Sequence, residues 1–220
     1  MARDVYNDPE ARSEMAALGF DAVPVAVLGE LRLAILHADQ LREMLGLPAE
    51  APPGSYQELV AALNRVLEAV EEAVLLLPAE HISTPTPNRG RDIRELAYNI
   101  HYPVRVMAVS LDSGLFEWRT EKDFAKSRRF TAPAELVAFC REIRQNWQKR
   151  ARLVGEEDAQ NYTETLKDAF SNLQILESQA WHAAQHLRQI YVFLRAIGVE
   201  PAHEMTAEEM MPIHLGDTVF

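Results

Sequence analysis

Two histidines with three residues between them, His182 and His186, are the part of this sequence best placed to do chemistry. On a helix, positions i and i+4 lie one turn apart on one face. Both imidazoles then reach a single divalent ion at about 2.0–2.1 Å. The spacing also arises by chance, and the plainer reading is a partly buried pair held by hydrogen bonds. Ile175 lies seven residues before His182, and Phe193 seven after His186, in the same helical row. A row that is apolar above and below its histidines is expected to face inward. Glu177 and Gln185 flank the pair, and either is placed to orient an imidazole through its second nitrogen. His81, His203 and His214 fall in loops or the tail, where structural or incidental roles are expected. The single cysteine, Cys140, excludes an intramolecular disulfide, a CxxC redox pair and a cysteine zinc site. It lies beside Phe139 on an apolar stripe and reads as a buried structural thiol rather than a nucleophile.

The pair needs a rigid element, and the sequence supplies one. Leu173, Leu176, Ala180, Ala183, Leu187, Ile190, Leu194 and Ile197 form an apolar stripe on a helix expected from about Leu166 to Ile197, ending at Gly198 with Pro201 beyond. Three more amphipathic helices precede it. One carries Leu59, Leu63, Val66, Val70, Val74 and Leu77. A second starts at Asp92, with Glu95 in capping-box spacing, and runs through Ile93, Leu96, Ile100, Val104 and Met107. Pro103 lies inside this helix and is expected to kink it, because its nitrogen cannot donate to the carbonyl of Asn99. The next helix follows Thr131 and carries Leu136, Phe139, Ile143, Trp147 and Val154. Thr206 and Glu209 form a capping box for a short helix in the tail. Four long amphipathic helices with a wide loop between the second and third predict a bundle over residues 55–220.

Residues 1–47 have a different texture, mixed α/β. Arg3 to Tyr6 reads as a short strand. Asp8-Pro9-Glu10 reads as a cap with a proline at the first helical position, for a helix ending at Gly19. Val23–Leu28 and Leu31–Leu36 flank Gly29-Glu30 as a hairpin, and a helix from Ala38 to Leu45 stops at Gly46. Residues 48–54, rich in proline, form a linker.

The formal net charge of −11 argues against nucleic-acid binding, which needs clustered Lys and Arg. The basic stretch Arg141–Arg152 is interleaved with apolar residues at helical spacing and reads as a solvated face. No apolar run approaches the roughly 20 residues of a membrane helix. Met1-Ala2-Arg3-Asp4 lacks a secretory profile, so a cytoplasmic location is expected.

The segment Trp181-His182-Ala183-Ala184-Gln185-His186-Leu187-Arg188-Gln189, followed by Leu194-Arg195-Ala196-Ile197-Gly198-Val199-Glu200-Pro201, resembles the last-helix signature of the DinB/YfiT-like four-helix bundles. The resemblance implies a metal centre in which His182 and His186 join a third histidine from the second helix, with open coordination positions. This sequence departs from that pattern. Asn99 stands where the third histidine is usual, and His101 comes two residues later, about 200° around an ideal helix. Either His101 supplies the third ligand through the turn imposed by Pro103, or Asn99 supplies a weak oxygen, or metal binding has been lost. Asparagine is a poor substitute for imidazole on zinc, nickel or copper.

Asp4-Val5-x-x-Asp8-Pro9-Glu10-Ala11, then Ala22-Val23-Pro24-Val25, the hairpin and Asp39 to Gly46 resemble the second half of a thioredoxin/glutaredoxin-like domain. That resemblance implies a cis Val23–Pro24 peptide. The first strand and the CxxC helix are absent, and Ile35 stands where the family has the glycine bordering its thiol groove. Without a thiolate there is no thiol–disulfide reaction here. A half-domain missing a central strand has unpaired sheet edges, so a homodimer is expected.

The fold expected is therefore mainly α, a DinB-like four-helix bundle behind a small N-terminal α/β segment. The function implied is divalent-metal binding (zinc or nickel), with metal-dependent S-transfer from a low-molecular-weight thiol to a small molecule. The competing expectation is a non-catalytic dimeric bundle that binds a small molecule or a partner and carries a degenerate metal site.

Overall fold

In the computed structural model, residues 3–5, 8–20, 23–35, 38–48, 54–87, 90–117, 125–165 and 169–215 are described. The chain divides into two compact units, Met1–Pro52 and Pro53–Phe220, with the boundary inside the 48–54 stretch.

The first unit begins with helix α1 (Pro9–Ala17). Asp8 caps it by accepting from the Glu10 and Ala11 amides at 3.0 Å each, and Arg3 holds the Asp8 carboxylate at 2.9 Å. Strands β1 (Val25–Leu28) and β2 (Leu31–Ala34) pair antiparallel with Leu28 opposite Leu31. The turn between them is Gly29-Glu30, and Gly29 takes φ 62°, which a side chain would resist. Helix α2 (Ala38–Met44) follows. The Val23–Pro24 peptide is cis. Residues 3–5 form no strand, which corrects the expectation at Arg3–Tyr6; Tyr6 itself lies outside the described residues. Among the described residues of this unit only Ala11 is buried, whereas Val27, Leu28 and Leu31 are exposed.

The second unit is the bundle. Its helices are α3 (Tyr56–Leu75), α4 (Ile93–Ser113), α5 (Pro133–Ala151) and α7 (Asn172–Ala196). The smaller elements are a 3₁₀ turn (Ala79–His81), β3 (Leu115–Phe116), α6 (Glu156–Ala159), β4 (Tyr162–Thr165), β5 (Ala169–Ser171) and α8 (Ala207–Met210). Each long helix has a chemical reason to start. Ser55 and Glu58 form a reciprocal capping box, as do Ser171 and Gln174. Asp92 accepts from the Glu95 amide at 3.0 Å, and Glu135 reaches back to the Thr131 and Ala132 amides. α4 ends on Gly114 at φ 67°, a left-handed cap. It continues through Pro103 as one helix.

α3 and α4 each pack against both α5 and α7. The order around the bundle is therefore α3, α5, α4, α7, with helices consecutive in the chain set diagonally. The interior is filled by Leu59, Leu63, Val66 and Leu67 of α3, Leu96, Ile100 and Val104 of α4, Leu136 and Trp147 of α5, and Leu176, Ala183, Leu187 and Ile190 of α7.

The last helix starts later than its periodicity predicts. β4 and β5 pair antiparallel there instead, and β3 adds parallel to β4. Alternating Thr163, Thr165 and Phe170 suit a strand, and Ser171-x-x-Gln174 marks the helix start. Leu166 lies outside the described residues. Among the described residues no helix is long and apolar enough to cross a membrane.

Candidate metal site

The expected inward row holds: Ile175 and Phe193 are buried, His186 between them is buried, and His182 is half-buried. The two imidazoles meet edge to face, with ring centroids 4.5 Å apart and planes at 83°. α4 lies across from them and delivers Asn99. Its Nδ2 stands 3.1 Å from His182 Nε2 and 3.0 Å from His186 Nε2. Asn99 is only 3% exposed, so this amide has no ready exchange with water.

These distances match one set of tautomers. An amide NH₂ carries two donors and offers no lone pair, so both Nε2 atoms accept. His186 Nδ1 lies 2.7 Å from Gln189 Oε1, which only accepts, so the His186 proton sits on Nδ1. Two imidazole lone pairs thus converge on one point, and the Asn99 amide nitrogen occupies it.

His101 does not join this group. Two residues along α4 turn it away from α7, as the rotation of an unbroken helix requires. It is fully buried; its Nδ1 donates to the Ala97 carbonyl at 3.0 Å, and its Nε2 faces Glu71 Oε1 of α3 at 3.9 Å. Burial drives its pKa down to about 4, so it is neutral. Glu71, also buried, is gripped by Arg144 Nε and Nη2 at 2.7 and 2.9 Å and by Arg141 at 3.4 Å. Cys140 is buried, and burial first, then the Glu71 charge, push its thiol pKa well up, which fits the structural role expected for it.

Gln185 Oε1 accepts from Arg188 at 3.5 Å. Glu177, five residues before His182, lies about 140° around the helix from it. The residue that orients His186 is Gln189, three positions on, and the i, i+3 spacing was its only signal in the sequence. His81 and His203 bond locally, to Thr84 and Glu209.

Among the described residues no set of three or more His, Cys, Asp or Glu side chains is placed to hold a metal. The donor set for an ion here is therefore the two imidazoles plus the Asn99 amide, which offers a cation its oxygen only after the amide turns over. Two surface grooves, about 390 and 560 Å³, lie between α4 and α5 and between α3 and the C-terminal segment; neither is lined by His182 or His186.

No protein family matches the sequence, and no curated protein is similar to it. Among solved structures, YfiT from Bacillus subtilis, described as a probable metal-dependent hydrolase with an unusual four-helix bundle topology, is similar with a TM-score of 0.58 at 18% identity, the match covering 70% of this chain and 94% of that one. At that identity the likeness shows the fold, a four-helix bundle of the YfiT type. It gives no support to the glutaredoxin resemblance of residues 1–47.

Proposed function

We propose that His182 and His186 bind one divalent first-row ion, zinc or nickel, and that the bundle uses it on a small molecule with a low-molecular-weight thiol as co-substrate. The observation that carries this reading is the convergence of two Nε2 lone pairs on one point about 3 Å away. The description of YfiT as a probable metal-dependent hydrolase supports the metal part of this reading. An ion held there supplies Lewis acidity that lowers the pKa of a coordinated thiol. The chain's own contributions are structural and electrostatic. Gln189 holds the His186 ring with its Nε2 lone pair presented. Ile175 and Phe193 shield the row from water. With His182 and His186 as its protein ligands, an ion would keep coordination positions for incoming groups.

Zinc or nickel titrated into the purified protein, followed calorimetrically, is expected to bind at one ion per chain. Binding is expected to disappear in His182→Ala and His186→Ala. Gln189→Leu is expected to weaken it roughly 10–100-fold, the usual effect of removing a ligand's hydrogen-bond partner. A wild-type protein that takes up neither ion, with no shift in melting temperature, removes the metal reading. A non-catalytic bundle is the second reading, and one observation favours it: the point of convergence is already filled by the Asn99 amide nitrogen.

A further inference from the structure

We infer that Asn99 is a competitor of the metal rather than its third ligand: its amide N–H groups take the place of the cation, and an ion must displace them to enter. This rests on the metal reading of the pair and deepens it. Nδ2 is almost equidistant from the two imidazole nitrogens, at 3.1 and 3.0 Å, so a single group satisfies both lone pairs. The neighbours match this orientation. Turning the amide over would set its oxygen against two nitrogens that carry no proton to donate. The same tautomer of His186 suits Gln189, whose Oε1 lies 2.7 Å from Nδ1. α4 offers no substitute: its histidine, His101, is fully buried on another face beside Glu71. In the metal-free site Asn99 bonds both imidazoles and His186 bonds Gln189, so both Nε2 atoms are satisfied without a cation. An entering ion loses two hydrogen bonds before it gains two nitrogens.

The site is consequently a weak and reversible one, filled only when free metal is abundant. Removing the competitor should strengthen it. Asn99→Ala is expected to tighten zinc and nickel binding about tenfold, the factor that corresponds to ~1.4 kcal/mol, within the net worth of the two hydrogen bonds the ion no longer has to break. Asn99→His, which adds a third imidazole, is expected to tighten it by a further factor of about ten or more. Competition titrations with each ion alone give these ratios without any assay of activity. Weaker binding in Asn99→Ala, with its thermal unfolding still cooperative, would mean that the amide oxygen is a ligand, and the inference falls while the metal reading stands. No binding by the wild type or by Asn99→His removes both. A measurement on the wild type alone guards against a variant that does not fold. In metal-free protein, ¹⁵N spectra should show both imidazoles protonated at Nδ1 and the Asn99 NH₂ protons slow to exchange. Protonated Nε2 atoms, or rapidly exchanging amide protons, overturn the inference directly.

Discussion

Asn99 and His101 are two residues apart and live in different chemical worlds. One amide is shared by two imidazoles; the other side chain is a neutral histidine sealed beside an ion pair. The second has a measurable signature. His101 has a folded pKa of about 4 against about 6.5 in an unfolded chain. Between those values the unfolded chain binds a proton that the folded chain refuses, so stability falls as pH drops from about 6.5 to about 4 and levels off below. The full span is on the order of 3 kcal/mol. Urea unfolding of His101→Leu should lack this component: its stability should change less than the wild type's across that window. Parallel curves for the two proteins would show that His101 is not the group responsible. The histidine pair and its inward row were legible from residue types at helical spacing. The roles of Asn99 and His101 were not, because a difference of two positions decides the facing only once the helix is known to run unbroken past Pro103.

The helices themselves were largely legible because their start and stop signals are local: Asp92, Thr206 and Gly198 each act within one turn. The exception is the start of α7. Its apolar period extends back toward residue 166, but Thr163, Thr165 and Phe170 favour the extended chain, and pairing with β3, distant in sequence, settles the choice. The buried ion pair joining α3 to α5 was also hidden, since Glu71 and Arg144 are 73 positions apart. Each sits at a place in its helix that reads as polar surface. Arg144→Met leaves the Glu71 carboxylate buried without its bidentate partner and should cost about 3–5 kcal/mol. Replacing Glu71 by Leu in the same chain should recover most of that loss, because two matched apolar side chains do without the desolvated charge. Chemical denaturation of the single and double variants checks both. A double variant no more stable than Arg144→Met would place the cost in lost packing instead.

At the scale of the whole molecule, the N-terminal unit and the bundle differ in how much they bury. The bundle encloses a continuous core, while the hairpin leaves Val27 and Leu31 more than half exposed, at 53% and 59%. A two-stranded hairpin alone is marginal in water, and its open edges favour pairing with another strand. We expect two copies of the chain to pair through it. Sedimentation should then give about twice the monomer mass, and Val27→Lys with Leu31→Lys should return it to the monomer value. A wild-type chain that sediments as a monomer at high concentration removes the dimer. The helix order of the bundle carries a different consequence, one of time. Because α3 and α4 are diagonal, neither has its full set of neighbours until α5 and α7 are made, and Asn99 lies 87 positions before His186. On the ribosome, the amide emerges long before either imidazole. A nascent or prematurely terminated chain that stops before Asn172 carries Asn99 facing water and has no imidazole pair for it to hold. The histidine pair is thus completed only by the last long helix to be synthesised, and a fragment that ends before Asn172 lacks both imidazoles.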